Sequence, residues 1–180
     1  MDWMGEVRER LRRGNAILFS KNSAGLADLR AALEGVERRV AVLWALDVSS
    51  RAAEALEERY PGESRPRQAL ETARLWAAGR VKMPAARQAI LGCHGLAKEL
   101  DDPADRALCH AVAQACSTVH TPGHAIGFPL YELTALVRRY GPDNCREPVE
   151  SRLSDYRRRL ADWAERDVSG MEWAAFLKNG

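Results

Sequence analysis

His120, Pro122, Gly123 and His124 crowd into five residues of the stretch CSTVHTPGHAIGFPLYELTALVRRY, Cys116 to Tyr140. Histidine binds transition metals and exchanges protons near neutral pH. On an unbroken helix a spacing of four puts His120 and His124 on one face, as two ligands of a metal site require. No glutamate follows the first histidine, so the helical zinc-protease motif is missing. Pro122 and Gly123 also predict a kinked join rather than a continuous helix. A second set of residues is charged. Asp47, Arg67, Glu71 and Arg74 fall on or beside the apolar stripes of two consecutive helical segments. A carboxylate in such a place must be paired or protonated. Arg51, one turn after Asp47, is a local candidate partner. Short-looped antiparallel helices bring such charges together, as a structural ion pair or as a polar site. Arg87 and His94 sit on one flank of the next segment. The Cys93-His94 and Cys109-His110 dipeptides resemble metal ligands, but neighbours on a helix diverge by about 100°, so neither pair closes on one ion.

The elements that position these residues read as helices throughout. Trp3, Met4, Val7 and Leu11 share one face over 2–13, with arginines crowding the rest. A brief helix is predicted over 25–33. Longer ones follow over 37–60 (Val40, Leu43, Trp44, Leu56, Tyr60), 65–81 (Ala69, Leu70, Ala73, Ala77, Val81), 84–99 and 103–119. Asp102 and Pro103 suit the cap and first position of the last of these. After the join, Ile126, Leu130, Leu133 and Val137 give a helix that ends at Gly141-Pro142, with Pro129 restarting or bending it. Val149, Leu153, Tyr156, Leu160 and Trp163 step 4, 3, 4, 3 along 147–166, an amphipathic helix that docks on the body or on a second chain. Met171, Trp173, Ala174 and Leu177 suggest a short final helix folding back. The expectation is all-α: one domain over 1–180, an antiparallel bundle of about six or seven helices.

Composition agrees. The 180 residues are 46% hydrophobic and only 7% aromatic, with abundant alanine and leucine, which favours close-packed helices over sheets. A net charge of +2 from 27 basic and 25 acidic residues argues against a dedicated nucleic-acid binder. The arginine groups at 8–13 and 157–159 are what such a binder would use. Cys93, Cys109, Cys116 and Cys145 show no CxxC spacing and read as reduced thiols of a cytoplasmic protein. No run approaches ~18 uncharged apolar residues, so no membrane span is expected.

Three segments together resemble a known family. Trp44 to Gly79, WALDVSSRAAEALEERYPGESRPRQALETARLWAAG, is followed by PAARQAILGCHGLA and then by VHTPGHAIGFPLYELTAL. Their order and spacing are similar to those of the immunity-protein-five-like family of bacterial polymorphic-toxin systems, over roughly residues 40–140. Phe128-Pro129 and Val48-Ser49-Ser50 depart from the usual family pattern. Positions matching recurring family residues are Asp47, Arg65, Pro66, Arg67, Glu71, Arg74, Trp76, Arg87, His94, His120 and His124. The resemblance implies an all-α cytoplasmic protein that neutralises a cognate protein toxin by binding it, with no chemistry and no cofactor of its own. The missing nucleophile–base pair and phosphate-binding glycine loop fit that reading. The arginine-tryptophan helix at 147–166 and the basic N-terminal helix are its candidate surfaces, and a homodimer is the other use for them. The competing reading is an enzyme or ligand-binding domain. In it Asp47, Arg67, Glu71, Arg74, Arg87, His94, His120 and His124 converge on one polar pocket, with His120 and His124 as metal ligands.

Overall fold

A computed structural model describes residues 2–178. The helices are α1 (Trp3–Arg12), α2 (Ala27–Gly35), α3 (Arg38–Arg59), α4 (Arg65–Ala77), α5 (Met83–Leu96), α6 (Pro103–Ser117), α7 (Gly127–Tyr140), α8 (Arg146–Ala164) and α9 (Ala175–Lys178), with 3-10 turns at Ala24–Leu26 and Pro122–His124. All but α2 and α9 have ten residues or more. The described residues include no strand. None of these helices is long and apolar enough to cross a membrane.

The fold is built around α6. Its alanines, Leu108, Cys109, Val112 and Cys116 present small apolar groups on nearly every side, the pattern of a helix enclosed by others. α3, α4, α5 and α7 all pack on it. Its start is fixed as the sequence predicts: the Asp102 carboxylate accepts the Ala104 N–H at 2.7 Å, and Pro103 occupies the first turn. α3 lies alongside, with Trp44 fully buried. α8 closes the bundle. Val149, Leu153, Tyr156 and Leu160 are buried against α2, α3 and α7, so its apolar stripe serves this chain's own core. α1 is likewise docked: Trp3, Met4 and Val7 are buried, and the Trp3 ring stacks on Phe19 with centroids 5.7 Å apart.

Two boundaries differ from the periodicity. The stripe over 65–81 continues to Val81, yet α4 stops at Ala77. Gly79 takes a positive φ of 77°, and the Arg80 N–H returns to the Leu75 carbonyl at 2.8 Å, a glycine-dependent C-terminal cap. This turn also receives the C-terminal segment. The Ala174 N–H donates to the Ala77 carbonyl at 2.7 Å, and a Cβ at Gly79 would lie 3.1 Å from Ala174 Cα. Gly79→Ala therefore combines left-handed strain with a backbone contact, and is expected to lose about 1–2 kcal/mol in urea unfolding. The second difference is the join. Thr121 is extended and Pro122–His124 is a separate 3-10 turn, so His120 and His124 do not share a helical face. Pro129 falls in the first turn of α7, where its missing N–H costs nothing.

Candidate functional site

The eight polar residues expected to converge are divided among separate neighbourhoods. Asp47, on α3, is bound by α8: Arg159 donates to one carboxylate oxygen at 3.1 Å and the Trp163 indole N–H to the other at 3.1 Å. The expected local partner, Arg51, is not the one used, because α8 lies across this face of α3 and supplies donors from a distant part of the chain. Arg67, Glu71 and Arg74 do come together. With Ser50, Glu54 and Glu57 they line a shallow hollow of about 280 Å³ between α3 and α4. Arg67 donates to Glu57 at 2.7 Å and Arg74 to the Ser50 hydroxyl at 2.9 Å. Arg87 projects into solvent from α5.

The histidines divide: His120 stands apart on Trp76, while His124 lies near His94 and His110. His120 is exposed and its ring lies parallel to Trp76, 12° between planes and 6.0 Å between centroids. Phe176 of α9 approaches the same ring at 6.5 Å. His124 turns the other way, where its Nδ1 donates to Gln114 Oε1 at 2.6 Å. A Cβ on Gly127 would overlap that Gln114 side chain, so the first residue of α7 must be small for this bond to form. The kinked join thus leaves His120 beside Trp76 and His124 beside Gln114 rather than on one helical face. Among the described residues no group of three or more His, Cys, Asp or Glu side chains is placed to hold a metal ion.

His94 has a partner that the helical-wheel reading missed. Its Nδ1 lies 2.7 Å from Nδ1 of His110, and the His110 ring packs on Tyr131 at 5.3 Å. His110 points away from the side of α6 that carries Leu108, Val112 and Ala115, but α6 is enclosed, with α5 and α7 also packed on it. The signal in the sequence is the i,i+4 pair His110 and Gln114, the two polar groups of the otherwise apolar run 107–116. One ring nitrogen donates to the other, so the pair cannot carry protons on both Nδ1 atoms. Burial lowers the pKa of His94, reinforced by the nearby His110 and His124, and burial alone lowers that of His110. Unfolded imidazoles take up protons as pH falls through about 6.5, while the folded pair resists. Stability is therefore fully present above that value and declines on acidification towards the lowered folded values. In a His94→Gln/His110→Gln variant, urea titrations between pH 7 and 5 are expected to show a flatter dependence than in the wild type.

Two buried carboxylates were also missed. Asp105, fully buried at the start of α6, accepts from Arg59 at 2.8 Å, Arg139 at 2.6 Å and the Tyr60 hydroxyl at 2.6 Å. Glu132 of α7 is bound by Arg152 and the Tyr156 hydroxyl, both from α8. Together with Asp47–Arg159 and Glu57–Arg67, these pairs cross-brace the bundle. The arginines of and just after α1 are engaged locally instead, along their own helix: Arg10 with Glu6, and Arg12 and Arg13 with Glu9. The four cysteines are free and buried. Burial pushes the Cys109 and Cys116 thiols up to about 12 and that of Cys93 higher still.

A family model described as "Imm-5 like putative immunity protein" matches residues 31–159, from the middle of α2 to the last third of α8. It reaches further at both ends than the resemblance over 40–140. Comparison with curated proteins and with solved structures finds no match.

Proposed function

The chain belongs to the Imm-5-like family of immunity proteins, and on that premise we propose that it neutralises a cognate bacterial toxin by binding it directly, without chemistry of its own. The observation that carries this reading is the coincidence of the family match with the braced body of the bundle. The match runs through α3 to α7 and takes in Arg152, Tyr156 and Arg159 of α8, which bind Glu132 and Asp47. Its polar residues are engaged in holding helices against each other: Asp47 to α8, and Arg67 and Arg74 to α3. A body fixed in this way presents a preorganised surface, and preorganisation reduces the ordering cost of a stoichiometric inhibitor. In this reading the protein works in the bacterial cytoplasm, on a toxin from a polymorphic-toxin system.

The test is co-expression with the toxin domains of the polymorphic-toxin systems of its own bacterium. Growth restored by the immunity protein, together with a stoichiometric complex by native mass spectrometry, is the expected result. Continued toxicity at full expression, with no complex formed, would sink the proposal.

A further inference from the structure

The surface around the His120–Ile126 join differs from the rest of the molecule. Two hollows flank it. One, of about 480 Å³, lies between the end of α2, the start of α3 and the join, with Leu33, Val36, Ala41, Pro122 and Ile126 in its lining. The other, of about 690 Å³, is lined by Trp76, Met83, His120 and Phe176. Met83 is 48% and Phe176 40% exposed, two exposed large apolar side chains that share one hollow. Arg38 lines both hollows. It donates to the Val119 and His120 carbonyls at 3.1 and 2.7 Å, and its guanidinium sits 5.6 Å from the Phe176 ring centroid. The two hollows thus meet across one fixed side chain.

The charge of this surface is one-sided. Lys21, Arg30 and Arg38 line the first hollow and Arg38 and Lys82 the second, against one acid, Glu34. Among the described residues none of these four cations has a carboxylate within ion-pair distance, although arginines elsewhere are extensively paired. In a chain of net charge only +2, an uncompensated cationic rim around an apolar floor is a local feature. An apolar centre within a charged rim is the composition of a protein-binding patch, and the sign of the rim selects the partner.

We propose that these two hollows form the toxin-docking surface, and that the partner presents an acidic face with an apolar or aromatic side chain seated beside Trp76, Met83 and Phe176. This rests on the immunity reading above and assigns its site. It also moves the contact away from α1 and the α8 stripe, whose apolar faces are already covered.

The experiment uses the full chain and the toxin domain whose toxicity it suppresses in that co-expression, in titration calorimetry at two salt concentrations. The side chains of Lys21, Lys82 and Met83 are exposed, and their replacement removes no side-chain hydrogen bond, so Lys21→Glu/Lys82→Glu and Met83→Ser should melt like the wild type. Wild-type binding should weaken with added salt. The charge-reversed double variant is expected to bind about 100-fold more weakly and Met83→Ser about 10-fold more weakly. Arg157→Glu on the exposed face of α8 is expected to stay within about twofold of wild type, as a remote charge in salt should. Unchanged binding by the double variant, or a larger loss in Arg157→Glu, overturns the docking surface while leaving toxin binding intact. No binding by the wild type overturns both.

Discussion

Trp44→Ala is expected to be the most destabilising single substitution, at about 4 kcal/mol, the usual range for a large aromatic lost from a core. Trp44 is fully buried on α3. Its indole N–H donates to the Tyr156 carbonyl at 3.0 Å, and its ring meets the Tyr156 ring edge-on at 6.0 Å. The substitution therefore opens a cavity and leaves an α8 carbonyl without its side-chain donor. A typical domain has only about 5–15 kcal/mol in total, so the loss should be plain in equilibrium urea unfolding. The midpoint should fall while the slope stays unchanged. A loss below about 1 kcal/mol would mean that α8 is not held on α3 through this residue.

Glu132→Ala is expected to cost about 3 kcal/mol, the lower end for breaking a buried pair by removing one partner. Both the Arg152 guanidinium and the Tyr156 hydroxyl would lose their acceptor. Glu132→Gln retains an acceptor oxygen and should cost less. The pH dependence distinguishes the two roles of the carboxyl. Burial pushes the Glu132 pKa up, outweighing the opposing pull of Arg152 and Tyr156. A group with a raised folded pKa binds protons on folding, so its contribution declines as pH rises from about 4.5 through the folded value. The deficit of Glu132→Gln relative to wild type should narrow over that same interval. A gap that widens with pH would mean that the ionised form is favoured by folding. Trp44 and Glu132 both touch Tyr156, so the double variant should lose less than the sum of the two.

These two residues also mark how far the sequence can be read. Trp44 is legible: it lies on the stripe of Val40, Leu43 and Leu56, and periodicity alone places it inside. The 4, 3, 4, 3 stripe of α8 is legible in the same way, although only the packed structure shows that it covers this chain's α2, α3 and α7. Glu132 is not legible. Its partners lie on α8 at positions 152 and 156, and no local pattern announces a pairing that depends on how two helices cross. Asp105 is hidden for the same reason, because Arg59 and Arg139 reach it from α3 and α7. The polar residues singled out by spacing are real departures from the apolar pattern, but Asp47, Arg67 and Arg74 are answered by the neighbouring helix and Arg87 by solvent. A helical wheel of 103–119 puts His110 opposite Leu108, Val112 and Ala115 because a wheel has one inside, whereas α6 is surrounded.

The burial of Cys93, Cys109, Cys116 and Cys145 has a practical consequence. Thiol reagents attack the thiolate of an accessible cysteine, and the native cysteines are buried, with their pKa values raised. A single cysteine introduced on the surface would then be modified selectively, with no need for a cysteine-free background. Met83→Cys would place a fluorophore or spin label at the edge of the hollow beside Trp76 and Phe176, where its signal would report the arrival of a partner in real time.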